Sequence, residues 1–200
     1  MLRLATESDV TGLAAIQVEA LPKDLLPRLG RRFLENCFYP AVLACPDAFI
    51  LVEEREDDID GFCIFVGDTG ALTREILSRG LGLLSAILIR SFKDPGIMFA
   101  FAALVGTRIQ MQDVRTSLPE PPLPEIYLMA VRKNRQGQGL GGRLIHEGVD
   151  RLRGRYRSCM VRTDKEDACR FYSRNGFVKF GLEKRGRRRF SLLVHDWSHS

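Results

Sequence analysis

The segment Val131-Arg132-Lys133-Asn134-Arg135-Gln136-Gly137-Gln138-Gly139-Leu140-Gly141-Gly142 constrains this chain more than any other. It lies between an apolar run, Ile126 to Val131, and a stretch carrying Leu140, Leu144, Ile145, Val149 and Leu152 at helical spacing. A glycine-rich turn joining a buried strand to an amphipathic helix places the chain in the α/β class. Glycines lack Cβ and let the backbone approach a ligand closely. The N–H groups of a helix's first turn, at its positive dipole end, favour phosphate oxygens. The turn is predicted to be an anion cradle.

Three phosphate-binding designs compete for it. Gly137, Gly139 and Gly142 satisfy the G-x-G-x-x-G spacing of dinucleotide sites. In that fold the first glycine ends the strand directly, whereas here Arg132 to Gln136 intervene. A nucleotide-triphosphate loop is excluded, because no Gly-Lys-Ser/Thr is present. The third design is carried by Gln136-Gly137-Gln138-Gly139-Leu140-Gly141, by Leu128-Met129-Ala130-Val131 and by Ala168-Cys169-Arg170-Phe171-Tyr172-Ser173-Arg174-Asn175-Gly176-Phe177. These resemble, in turn, the Gln/Arg-x-x-Gly-x-Gly/Ala motif, the fourth strand and the A-x-x-F-Y-x-x-x-G-F motif of the GNAT acyltransferase superfamily. Two positions depart from that pattern: Lys133 replaces the proline common after the fourth strand, and Lys165 stands where an asparagine is frequent. The second removes one side-chain contact to a pantetheine arm and supplies a cation instead.

The rest of the chain agrees in order. Leu2 to Ala5 is predicted to be a strand, followed by a helix N-terminus at Thr6-Glu7-Ser8-Asp9 and a helix whose face carries Val10, Leu13, Ala14, Val18 and Leu21. A second helix is expected over Leu25 to Phe38, stopping before Pro40. Two apolar runs, Ala48 to Val52 and Ile59 to Val66, flank an acidic stretch and predict a hairpin. After the glycine-rich turn and its helix come a strand at Cys159 to Thr163, a helix at Glu166 to Arg174, and strands near Phe177 to Phe180 and Phe190 to Val194. The expected architecture is a single 1–200 domain of GNAT-like mixed sheet flanked by helices, with a helical insertion at about 68–124 between the third and fourth strands. Within it, Leu72 to Ile89 and Ile97 to Val105 read as apolar helices, and their surface suits a pocket lid, a homodimer contact or a membrane-surface contact. Neither reaches the length of a membrane span.

Charge and cysteines narrow the function. The net charge of +5 hides an asymmetry: Arg132 to Phe190 carries 18 Lys and Arg against 6 Asp and Glu, so the remainder sums to −7. A local cationic region suits a phosphate-rich ligand. Nucleic acid is not the expected partner, since Lys184-Arg185-Gly186-Arg187-Arg188-Arg189 has little aromatic interleaving and reads as a hairpin turn. Cys37, Cys45, Cys63, Cys159 and Cys169 form no C-x-x-C pair and have no histidine at ligand spacing, so no metal is expected and the thiols are read as reduced. With no basic stretch running into a long apolar run at the first residues, a cytoplasmic location is expected.

The resemblance implies a chemistry: transfer of an acetyl or other short acyl group from acetyl-CoA, as acyl-donor cosubstrate, to the amine of a small acceptor such as an amino sugar. It implies a cosubstrate contact along Met129, Ala130 and Val131 and phosphate contacts at Gln136, Gly137, Gln138, Gly139, Leu140, Gly141 and Gly142. It also implies an oxyanion contact from a backbone N–H near Met129 or Ala130, with Tyr172 as the acid that protonates the leaving thiolate and Glu125 as the base. His146, His195 and His199 lie outside the motifs. The alternative class is a non-catalytic acyl-CoA-binding or sensing protein that keeps the cradle alone.

Overall fold

The structure is a computed structural model that describes residues 1–56, 58–79, 87, 89, 123–185 and 188–197. Among the described residues, seven strands form one sheet: β1 (Leu2–Leu4), β2 (Ala48–Arg55), β3 (Asp58–Val66), β4 (Glu125–Val131), β5 (Ser158–Thr163), β6 (Val178–Arg185) and β7 (Arg188–Asp196). Their order is β1-β2-β3-β4-β5-β7-β6. All neighbours are antiparallel except β4 and β5, which are parallel because a helix, α6 (Leu140–Arg153), crosses between them.

Helices cover both faces. On one lie α1 (Val10–Ala20), the short turns α2 (Leu25–Arg28) and α3 (Arg31–Phe33), a π-helical turn Leu34–Phe38, α4 (Tyr39–Ala44) and α5 (Thr69–Ser78), burying Leu13, Ile16, Phe38 and Leu72 against Ile50, Phe62 and Ile64. On the other, α6 and α7 (Glu166–Arg174) bury Leu144, Ile145 and Tyr172 against Phe65, Cys63 and Val161. Side chains of this size contribute about 1.5–3 kcal/mol each when fully buried.

Three sequence expectations need correction here. The inward face of α1 carries Leu13, Ala14, Ile16 and Gln17, while Val18 points outward at 36% exposure. Gln17 is buried because its Oε1 accepts from the Tyr39 hydroxyl at 2.7 Å, a polar pair that apolar spacing does not reveal. The second helix is not continuous: Gly30, at φ 102°, interrupts it, and the chain then runs helically through Pro40. The wide π turn that precedes Pro40 accommodates a residue without an N–H to bond backwards. The helix after β3 spans Thr69–Ser78, capped by Asp68 accepting from the Gly70 N–H at 2.7 Å, and ends well before Ile89. Ile87 and Ile89 are again helical, and residues 80–86, 88 and 90–122, among them the predicted helix Ile97 to Val105, lie outside the described residues.

α6 approaches the sheet through Gly148, where a Cβ would lie 1.9 Å from Phe65 Cζ. Gly148→Ala is therefore expected to lower stability by about 1–3 kcal/mol through overpacking, although alanine favours a helix by about 1 kcal/mol. Urea unfolding measures this; an unchanged midpoint would mean that Phe65 yields freely.

Candidate active site

The site begins where β4 and β5 part. They pair only at Glu125↔Met160 and Ile126↔Val161. One cause is visible on the other side of β4: Leu128 pairs with Ile64 and Ile126 with Phe65, so Tyr127 is an extra, bulged residue. A bulge bends its strand and raises the local twist. Past it β4 leaves β5, and the backbone edge that parallel pairing would have consumed faces a cavity of about 510 Å³.

The cavity wall is built from four elements: Leu21 and Asp24 after α1; Ile126 to Met129 on β4, with Gln136 after it; Val161 to Thr163 on β5; and Lys165, Asp167, Ala168, Phe171 and Tyr172 at and in α7. Met129 and Gln136, which the resemblance assigns to the cosubstrate, both line it. Ala130 turns its methyl into the core at 4% exposure, and because the Arg132 N–H two residues on bonds the Asp60 carbonyl, the Ala130 backbone faces β3 rather than the cavity, contrary to the sequence expectation. The Gln136 amide donates back to the Val131 carbonyl at 3.0 Å, and that of Gln138 to the Asn134 carbonyl at 3.2 Å, so both side chains brace the turn.

The glycines divide by task. Gly137 and Gly139 have φ of 76° and 77°, a region that disfavours residues with a Cβ, and they aim the turn into the N-terminus of α6. Gly141 and Gly142 admit α7 instead: a Cβ would lie 3.0 Å from Phe171 Cζ at the first and 3.0 Å from Asn175 Oδ1 at the second. Leu140 is a buried anchor. The N–H groups of residues 140–142, in the first turn of α6, have no partner within the helix, an arrangement that favours negative charge nearby.

The cations of the cradle are not idle. Arg132 pairs with Asp58 at 2.7 Å, Arg135 with Asp60 at 3.0 Å and Arg143 with Glu53 at 3.1 Å. The acidic stretch that the sequence marks only as a hairpin turn is therefore the counter-charge of the cradle, a relation invisible in sequence because 74, 75 and 90 residues separate the partners.

Tyr172 is buried, with its ring edge-to-face against Phe171 and Phe177 at 5.2 and 5.5 Å. Burial pushes its phenol well above the ordinary value, and the neighbouring Cys63 and Cys159 thiols add to the effect. It keeps its proton at any working pH. Glu125 lies outside the cavity wall: Arg162, which does line it, donates to Glu125 at 3.2 Å and pairs with Glu183 at 3.1 Å. Burial raises the Glu183 carboxyl, with Arg162 opposing and Glu125 reinforcing the shift. The structure thus adds Glu183 and Arg162 to the one carboxylate chosen from sequence.

Spacing could not have found Glu183, because it arrives from β6 across β7. His195 lies between Phe177 and Trp197, and His146 is exposed on α6. Neither lines the cavity. The five cysteines are free, four of them buried.

Comparison with known proteins agrees with this geometry. Residues 96–179 match the family model described as an acetyltransferase (GNAT) domain. The chain is 29% identical over 128 residues to the N-alpha-acetyltransferase RimI of Mycobacterium tuberculosis, covering 58% of this chain and 81% of that one. In fold it resembles a crystal structure of histone acetyltransferase HPA2 and related acetyltransferase from Corynebacterium glutamicum, with TM-score 0.62, 16% identity, and 98% and 95% of the two chains covered. It also resembles a Bacillus anthracis chain solved with acetyl coenzyme A, with TM-score 0.50, 15% identity, and 81% and 69% covered. With a parted β4 and β5, a glycine-rich turn at the start of α6 and a matching acetyltransferase (GNAT) domain over residues 96–179, the chain resembles the GNAT superfamily of acetyltransferases.

Proposed function

We propose that this acetyl-CoA-dependent N-acetyltransferase binds its acetyl donor along the free edge of β4, with the phosphates on the turn from Gln136 to Gly142, and acetylates the amine of a small acceptor, an amino sugar or similar metabolite. The observation that carries the reading is the parting of β4 from β5 directly beside the cradle. It supplies unpaired backbone groups for the amides of a pantetheine arm and leads from a phosphate site to a buried phenol. The thioester supplies the acetyl group. The chain's own residues then have three tasks: the backbone N–H of Met129 on the free edge stabilises the developing oxyanion, Tyr172 protonates the departing thiolate, and a carboxylate takes the proton of the ammonium.

Glu125 is the proposed base, acting through an intervening water because it stands behind Arg162. Glu125→Gln is expected to lower kcat/KM by about 100-fold. Wild-type turnover in that variant would remove the base assignment. A second acceptor class is favoured by one observation, the similarity to a protein named for N-alpha-acetylation: the α-amine at a polypeptide N-terminus. Calorimetry with acetyl-CoA, followed by measurement of coenzyme A release with glucosamine, spermidine and a peptide bearing a free N-terminus, tests the proposal and separates the acceptors. Failure to bind acetyl-CoA would overturn it.

Among the described residues, no helix is long and apolar enough to cross a membrane. No group of three His, Cys, Asp or Glu there could hold a metal ion.

A further inference from the structure

We propose that Asp24 is the carboxylate that receives the acceptor's ammonium, and that Lys165 occupies it in the free protein. The inference rests on the amine-acceptor reading above and names the recognising group. Lys165 Nζ stands 3.1 Å from Asp24 Oδ1 and 3.3 Å from Oδ2, joining two stretches of chain 141 residues apart. Both residues belong to the wall of the cavity that Tyr172 and Met129 line. A primary ammonium held across both oxygens of a carboxylate, inside the cavity where an amine must be acetylated, is the contact that an acceptor would make. Here the chain makes it with its own side chain.

The other charges in the wall are committed differently. Arg162 is held by Glu125 and Glu183, and Asp167 pairs with Arg170 one helical turn along α7, facing outward at 93% exposure. Asp24 is one-third exposed and Lys165 half exposed. An ion pair so placed is weak in water, and a second ammonium can replace the first at little cost. The exchange swaps like for like at Asp24, so the carboxylate remains paired when the acceptor binds. This arrangement depends on a lysine at position 165; the asparagine that the resemblance leads one to expect there would leave Asp24 without a resident cation.

The test is steady-state release of coenzyme A from acetyl-CoA with glucosamine, spermidine and a free-N-terminus peptide as separate acceptors, on the full chain. Lys165→Met should lower KM for the accepted amine about threefold to tenfold, by removing the competitor. Asp24→Asn should raise it about tenfold or more, as expected for a lost charge-assisted contact. Asp24→Asn combined with Lys165→Met should behave like Asp24→Asn alone. The thermal midpoint should stay near wild type in all three, acetyl-CoA affinity by calorimetry should stay near wild type in Asp24→Asn, and Lys165→Gln should repeat the effect of Lys165→Met. If both single variants move KM in the same direction, the pair is only a latch and the inference fails while the acetyltransferase reading stands. An unchanged KM in Asp24→Asn also overturns it. If neither wild type nor Lys165→Met acetylates any of the three amines although acetyl-CoA binds, the acceptor reading falls and takes this inference with it.

Discussion

Tyr172→Phe should slow acetyl transfer by about 100-fold or more while leaving acetyl-CoA affinity unchanged, the effect typical of losing a general acid. The two rings differ by one oxygen, and the packing against Phe171 and Phe177 does not use it. Stability should therefore change little, which separates this substitution from a cavity-forming one. Because burial raises the phenol above its ordinary pKa of about 10, it remains protonated through the whole practical range. The wild-type rate should consequently show no alkaline loss due to Tyr172 below about pH 10. Single-turnover kinetics on the Phe variant gives the answer: a rate equal to wild type would reduce Tyr172 to a wall residue.

Gly139→Val should weaken acetyl-CoA binding by tenfold or more. The reason is backbone geometry rather than collision, since the nearest heavy atom to an added Cβ is Arg143 Nη1 at 3.8 Å. With φ of 77° at the residue that caps the N-terminus of α6, a β-branched side chain costs about 1–3 kcal/mol or forces the turn into another shape. Either result misdirects the N–H groups that would meet the phosphates. Gly139→Ala, with a smaller strain of roughly 1–2 kcal/mol, should fall between valine and wild type. Calorimetric titration with acetyl-CoA orders the three; equal affinities would move the phosphate site away from this turn.

Much of the domain was legible because its signals are local. α7 spans Glu166–Arg174, as the sequence predicts, and α6 buries all five residues expected on its inward face. Both follow from a 3.6-residue period. Errors arose where a long-range contact overrode the local pattern. Gln17 is buried because Tyr39, 22 residues away, satisfies its carbonyl, and Val18 is pushed outward by the same rotation of α1. The helical region around Pro40 defied the usual stop because a π turn makes room for the ring.

The site shows the same division. Composition and spacing alone determined that a glycine-rich turn would join a buried strand to an amphipathic helix, since αL glycines and the N–H groups of a helix's first turn are properties of a few consecutive residues. Only the tertiary structure decided what surrounds that turn. The bulge at Tyr127 depends on the register against β3, and no residue type in β4 announces it. The acidic hairpin becomes the partner of the cradle arginines only when β3 lies beside β4. Glu125 changes from a strand-end carboxylate to a member of an Arg162-centred cluster only when β5, β7 and β6 stack in order. Lys165 meets Asp24 across 141 residues of chain. Periodicity and turn chemistry act over a few residues, whereas charge pairing and cavity shape act through space over a few ångströms, and folding alone sets which distant residues come that close.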